Sequence, residues 1–264
     1  MTILTEASLA GVHSAAEIIR SSKRGVILTG AGVSTPSGIP DFRSAESGLW
    51  ERYDPFEVAS LSAFRYNPIR FYDWLRSLGM KMHQAEPNPA HYSMARLEEL
   101  GYITTLITQN IDALHQRAGS RNVVEVHGSM KSLTCTSCYK NFDAHDYLEP
   151  YLFEGVIPYC ADCGCILKPD LVLMGEQLPV KTWLKAQDAS RNCDLMIVAG
   201  SSLEVLPVAG LPMRALENGA HLILINHSVT YLDIRADVVL HEDVAQVIPR
   251  IVDELLENRD KGAG

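Results

Sequence analysis

Five short apolar runs set the tightest limit on what this chain can fold into: residues 24–28, 102–108, 123–126, 195–199 and 222–225. Each has the length of a strand rather than a helix, and a run such as Val26-Ile27-Leu28 carries no polar face, as a strand covered on both sides must. Helical patterns separate the runs. Residues 4–22 are amphipathic, Asn88 and Pro89 read as the N-cap and first position of a helix that Gly101 stops, and residues 180–191, 207–217 and 244–256 complete the set. Strands alternating with helices predict a parallel, doubly wound α/β sheet that places ligands at the carboxyl ends of its strands.

Two stretches break the alternation. Residues 45–85 are rich in aromatics and lack clean strands, and residues 132–169 hold five of the six cysteines. The expected organisation is a large nucleotide-binding domain from residues 1–44, 86–131 and 170–260. A helical insertion (45–85) and a zinc-binding insertion (132–169) would form a small domain against it. A chain of 264 residues suits one large domain carrying a smaller module. The cleft between the two is the expected site.

Cys135-x-x-Cys138 is followed after 21 residues by Cys160-x-x-Cys163. Two such knuckles can close a tetrahedral zinc site, and four thiolates leave no position for water or substrate, so this metal should hold the fold rather than perform chemistry. Cys165 is an alternative to Cys163; with the paired spacing it is a spare thiol. Cys193, Trp50, Trp74 and Trp183 read as packing residues.

The formal charge of -9 and pI near 5.5 argue against nucleic-acid binding, which needs a basic footprint, and suit a lysine-bearing partner. No apolar run is long enough to span a bilayer, and the N-terminus lacks the plan of a signal peptide. A cytoplasmic location is expected, where clustered cysteines bind metal rather than pair as disulfides.

Candidate chemistry gathers at strand ends. Thr29-Gly30-Ala31-Gly32-Val33-Ser34 leaves the first strand as a side-chain-poor loop whose amides can approach a pyrophosphate. Thr35 stands where a dinucleotide fingerprint has its third glycine, which argues against hydride transfer, and alone the loop can be a tight turn. Downstream, Phe42 and Arg43 suit a flap over a nucleotide or, on local evidence alone, a core anchor and a solvated charge. Gln109-Asn110-Ile111-Asp112 offers amides and a carboxyl for a carboxamide and ribose hydroxyls, though Asp112 is equally a helix N-cap. His127, one of nine histidines, ends the run 123–126 and can take a proton near neutral pH. Gly200, Ser201, Ser202 and Asn226 end the last two runs with groups suited to phosphate and ribose.

In order and spacing these motifs, with Val172-Leu173-Met174-Gly175-Glu176, resemble the sirtuin family in its prokaryotic form, from about residue 26 to residue 251. The resemblance implies a Rossmann-like large domain, a small domain with one structural zinc, and NAD-dependent deacetylation of acetyl-lysine, or other acyl-lysine, proteins. NAD is consumed: the acyl group passes to its ribose, releasing nicotinamide and O-acetyl-ADP-ribose. By motif match, His127 is the general base and Asn110 a second catalytic group. Gly30, Ala31, Gly32, Thr35, Phe42, Arg43, Gln109, Asn110, Ile111, Asp112, His127, Gly200, Ser201, Ser202, Asn226, Asp243 and Val244 would contact NAD. Val172, Gly175 and Glu176 would hold the peptide, and Cys135, Cys138, Cys160 and Cys163 the zinc. Two departures bear on the acyl group. Met174 replaces the usual Phe, which reshapes the acyl-lysine tunnel, and the Tyr-x-x-Arg pair of relatives that remove acidic acyl groups is absent, because Leu75 stands three positions after Tyr72. Neutral acyl groups, acetyl first, are therefore expected. An ADP-ribosyltransferase using the same site and a non-enzymatic NAD- or zinc-dependent regulator are the competing readings.

Overall fold

The computed structural model describes residues 4–41, 51 and 53–261. In chain order, the described residues form α1 (Glu6–Ser21), β1 (Gly25–Thr29), α2 (Pro55–Val58), α3 (Leu61–Tyr66), α4 (Pro68–Gln84), α5 (Pro89–Glu99), β2 (Ile103–Thr108) and α6 (Leu114–Arg117). Then follow β3 (Val123–Glu125), β4 (Gly128–Cys135), β5 (Asn141–Asp143), α7 (His145–Glu149), β6 (Leu167–Leu171), α8 (Val180–Asn192) and β7 (Leu195–Ala199). The chain finishes with α9 (Leu211–Glu217), β8 (His221–Ile225), β9 (Val238–Leu240) and α10 (Val244–Lys261).

Six strands make one parallel sheet in the order β3-β2-β1-β7-β8-β9. Strand order reverses between β1 and β7, and at such a switch point the loops above the strand ends diverge and leave a crevice. The apolar runs serve both faces through the two-residue alternation of a strand. Ile27 joins Val12, Ala15, Ala16 and Ile19 of α1 and residues of α5 and α10, whereas Val26 and Leu28 face the layer that includes Ala186 of α8 and Ala215 of α9. Local signals set the helix starts: Thr5 Oγ1 accepts the Ser8 N–H ahead of α1, and Asn88 with His91 forms a capping box at α5. Five of the six strands were legible as apolar runs. β9 was not, because it has three residues and follows a turn-rich segment.

The second sheet is antiparallel, in the order β5-β4-β6, and carries the cysteine cluster. Beside it α2, α3 and α4 pack Phe64, Phe71, Tyr72 and Leu75 into a separate apolar cluster with Tyr151 and Leu152. No helix among the described residues is long and apolar enough to cross a membrane.

Candidate active site

Parallel pairing sets Thr29 at the end of β1 opposite both Thr108 of β2 and Ala199 of β7, so three loops leave the sheet side by side. Two of them touch. The Gly30 N–H donates to Ala199 O at 3.2 Å and the Gly32 N–H to Gly200 O at 2.9 Å. A Cβ on Gly32 would lie 2.9 Å from Gly200 Cα, and one on Gly200, whose φ is +58°, would lie 2.4 Å from the Val33 nitrogen. Glycine is thus required by the contact between loops, before any ligand is considered.

The amide-rich segment after β2 ties these loops together. Gln109 donates from Nε2 to Ser201 Oγ at 2.9 Å, and Asn110 donates from Nδ2 to Gly30 O at 3.0 Å and Ser34 Oγ at 3.1 Å. Both amide hydrogens of Asn110 are spent, which leaves Oδ1 as the atom it offers outward. Asp112 makes the capping bond its sequence expected, Oδ1 accepting the Leu114 N–H at 2.9 Å, and its Oδ2 accepts from the Ser34 hydroxyl at 2.7 Å. Burial pushes its carboxyl above the usual range, opposed by those two hydrogen bonds. Between Asp112 and α6, Ala113 adopts a left-handed conformation at φ +59°.

His127 follows β3, and its Nδ1–H donates to the Gln109 carbonyl at 3.1 Å. That bond fixes the tautomer and leaves the basic lone pair on Nε2. The His127 carbonyl in turn accepts the Val172 N–H at 2.8 Å. The residues that follow form a tight turn, with Glu176 N–H donating to Leu173 O at 2.9 Å and Gly175 at φ +87° in the position that needs positive φ. Glu176 does not point its carboxylate outward. Its Oε2 accepts the Leu173 N–H at 2.8 Å and the Lys168 ammonium at 3.0 Å, and Lys168 also donates to Leu171 O at 2.9 Å. Met174 crosses to the small module, donating to Ala59 O and accepting from Leu61 N–H, both at 3.0 Å.

A cavity of about 1170 Å³ opens over this edge. Its walls include Gly30, Ala31, Gly32 and Thr35, then Gln109, Asn110, Ile111 and Asp112, then His127, Gly200, Ser201, Ser202 and Asn226. Val172, Gly175 and Glu176 also line it, and Trp74, Leu75, Leu78 and Met82 of α4 supply an apolar end with Met174. Pockets for single small ligands run to roughly 300–1,000 Å³, so the space suits two molecules meeting. Asp243 and Val244 are not brought to the cavity: Asp243 caps α10 through the Ala245 N–H at 2.8 Å, and Val244 is buried in the sheet core. Phe42 and Arg43 lie outside the described residues. Ser34 and Lys168, for which the sequence suggested no role, hold Asp112 and the turn that ends in Glu176. Ser34 is hidden among turn residues of the same composition, and Lys168 alternates with the buried Leu167, Pro169 and Leu171, which by itself reads as an outward-facing charge.

The cysteine cluster meets the demands of zinc. The Sγ atoms of Cys135, Cys138, Cys160 and Cys163 lie within 4.8 Å of one another. Cys135 and Cys163 are 3.4 Å apart and Cys138 and Cys160 3.7 Å, against roughly 3.8 Å for a tetrahedron with metal–sulfur bonds of about 2.3 Å. Cys165 is not among the four; its carbonyl accepts the Cys160 N–H at 2.7 Å, closing the second knuckle.

The Sir2 family model matches residues 30–207 of this chain. The NAD-dependent protein deacylase 2 of Archaeoglobus fulgidus is 46% identical over 251 residues, covering 95% of this chain and 98% of that protein. A solved Sir2 structure with deacetylated p53 peptide and 3'-O-acetyl-ADP-ribose is 38% identical with a TM-score of 0.86, covering 92% of this chain and 98% of that one. A Sir2Af2 structure bound to a myristoylated histone peptide is 40% identical with a TM-score of 0.82, covering 96% of this chain and 99% of that one.

Proposed function

The chain belongs to the Sir2 family, and from that premise we propose an NAD-dependent protein-lysine deacetylase/deacylase in which His127 is the general base. The supporting observation is the Nδ1–H bond of His127 to the Gln109 carbonyl, because it leaves Nε2 basic at the edge where the cavity meets the amide cluster. The loop of Gly30, Ala31, Gly32 and Thr35, with Phe42 and Arg43, would cover NAD. Gly200, Ser201, Ser202 and Asn226 would take its phosphates and adenosine ribose, and Gln109, Asn110, Ile111 and Asp112 its nicotinamide ribose and carboxamide. Asp243 and Val244, expected from the motif match to reach NAD, are left out of this assignment, because one caps α10 and the other is buried in the sheet core.

In this reading the acyl oxygen attacks the ribose carbon as the bond to nicotinamide breaks. His127 Nε2 then takes a ribose hydroxyl proton as that oxygen bonds to the acyl carbon; the lysine amine leaves with a proton, and a water adds to the acyl carbon of the ring so formed, opening it to O-acyl-ADP-ribose. No hydride moves. Val172, Gly175 and Glu176 belong to the segment that would pair with the substrate backbone. Cys135, Cys138, Cys160 and Cys163 would hold a zinc that supplies fold stability.

Neutral acyl groups are favoured. The Tyr72 hydroxyl donates to Leu167 O at 2.5 Å, and Arg76 is engaged by the Leu152 and Phe153 carbonyls at 2.8 and 3.0 Å, so neither is offered to an acidic acyl group. The apolar wall of Trp74, Leu75, Leu78 and Met82 spans two helical turns, which supports chains longer than acetyl as well. We place the two domains as 1–44, 86–131 and 170–260 against 45–85 and 132–169, and the protein in the cytoplasm.

The test is His127→Ala assayed with acetyl-, myristoyl- and succinyl-lysine peptides by NAD-dependent nicotinamide release. Turnover should fall by about two to four orders of magnitude, the usual worth of a positioned base, with ADP-ribose affinity retained. Unchanged turnover removes His127 from the reaction. Label from NAD appearing on protein without lysine release would point instead to ADP-ribosyl transfer.

A further inference from the structure

Beneath the three loops lies a buried polar chain that the reaction does not use directly. Thr29 and Thr108 end β1 and β2 opposite each other, are 0% and 2% exposed, and are joined by a hydrogen bond of 2.8 Å from the Thr29 hydroxyl to Thr108 Oγ1. His115, at 1% exposure, lies 3.0 Å from Thr29 Oγ1 through Nε2, and because the Thr29 proton is already spent, Nε2–H is the donor. Thr108 Oγ1 also accepts the Asn110 N–H at 3.1 Å. On the far side, His91 is buried against His115 with ring centroids 4.8 Å apart. Its Nδ1 accepts the Asn88 N–H at 3.3 Å, so its proton sits on Nε2. His91 Nε2–H is thus a donor and His115 Nδ1 an acceptor, one on each of two touching rings. No hydrogen bond joins those two nitrogens, so the linked chain starts at His115: its Nε2–H donates to Thr29, the Thr29 hydroxyl donates to Thr108 Oγ1, and the Asn110 N–H donates to that same oxygen from the other side.

Such a chain is a poor way to make a core. Apolar side chains of the same shape would fill the space without the desolvation cost of two imidazoles and two hydroxyls. What the polar groups supply is direction. Thr108 orients the Asn110 N–H, while Gly30 O and Ser34 fix its side-chain amide, so Oδ1 can face only one way.

We propose that His115 is a positioning residue for the NAD-consuming reaction, acting through Thr29 and Thr108 on Asn110. The proposal rests on the reading of Asn110 as a group facing nicotinamide. Ser201 and Asn226, the groups for the adenosine diphosphate part, bond to Gln109 and to the Ser228 carbonyl rather than to the hydroxyls and imidazole of the chain, so binding of that part should not depend on it.

The experiment uses the zinc-loaded full chain and compares Thr108→Val, Thr108→Ser, His115→Leu, the Thr108→Val/His115→Leu pair and Asn110→Ala. The readouts are kcat and KM for an acetyl-lysine peptide, inhibition by nicotinamide, ADP-ribose affinity and melting temperature. Thr108→Val, nearly isosteric, should lower kcat and weaken nicotinamide inhibition about ten-fold each, with ADP-ribose affinity within about two-fold; one buried hydrogen bond lost has that size. Thr108→Ser, which keeps the hydroxyl, should restore both to within about three-fold. His115→Leu should match Thr108→Val, and the double variant should be no worse than either, as members of one chain require. Wild-type kcat and nicotinamide inhibition in folded Thr108→Val overturn the proposal, as do single effects that multiply in the double variant or an equal loss of ADP-ribose affinity. Thr108→Val decides the matter should His115→Leu fail to fold. Impaired Asn110→Ala beside normal Thr108→Val isolates the failure to the chain, whereas normal nicotinamide inhibition in Asn110→Ala overturns the reading of Asn110 and the proposal with it.

Discussion

Lowering the pH from 8 to 5 puts the His91–His115 pair under direct strain. Burial lowers His91 from 6.5 to about 4. Burial, and then the charge of His91, lowers His115 to about 3. Both folded values lie below the unfolded one, so the unfolded chain takes up protons first. The stability that comes from neutral rings is therefore full above about pH 6.5 and is lost as the pH falls toward the folded values. At pH 5 an unfolded histidine is roughly 97% protonated while the folded pair stays largely neutral, which costs about 2 kcal/mol per ring relative to pH 8. The two together, about 4 kcal/mol, are a large part of a net stability of about 5–15 kcal/mol. Urea unfolding followed by far-UV circular dichroism at pH 8, 7, 6 and 5 reads this loss. The His91→Gln/His115→Gln variant should lose about 4 kcal/mol less over the same interval, since its amides do not titrate. Proton NMR of the imidazoles is an independent check: two of the nine histidines should remain neutral at pH 5. Parallel pH curves for variant and wild type, or His91 and His115 titrating near 6.5, would refute the burial argument.

Cys135→Ala should release the zinc and unfold the three-stranded module; a variant with wild-type metal content and melting temperature would exclude the four-thiolate site. Gly200→Ala combines a φ of +58° with a Cβ 2.4 Å from the Val33 nitrogen. It should destabilise by more than the about 1–2 kcal/mol of left-handed strain alone and raise the KM for NAD; unchanged melting temperature and KM would show that the two loops can part freely. Lys168→Met and Glu176→Gln each break the clamp on the peptide segment, whose partners are only 18% and 20% exposed. Each should raise the KM for peptide about ten-fold with kcat near wild type, and the double variant should be no worse than the singles; a fall in kcat at constant KM would contradict a positioning role.

The sheet was legible because strands buried on both faces must be apolar throughout, and residues 195–199 carry that signature without interruption. The zinc knuckles were legible because thiolate spacing is set by the metal. Other features were not, since they depend on which distant backbone a side chain meets. The motif match sets Glu176 against the peptide, and nothing local says that its carboxylate folds back onto Leu173 N–H and Lys168. His115 reads as an ordinary polar residue in a short helix, yet it is 1% exposed, because parallel pairing 79 residues apart sets Thr29 beside Thr108 and α6 drops the imidazole under both.

The same contrast separates the two histidines functionally. His127 reaches the cavity with one nitrogen anchored on a carbonyl, so it keeps a lone pair and can exchange a proton. His115 is buried with its proton committed to Thr29, and burial holds it neutral far below physiological pH, so it has no proton to exchange in the range where the enzyme would work. A ring in that condition can influence the reaction only through geometry. For that reason a change at His115 should scale kcat without altering the pH at which activity rises, whereas a change to the Gln109 carbonyl's hold on His127 should move that pH.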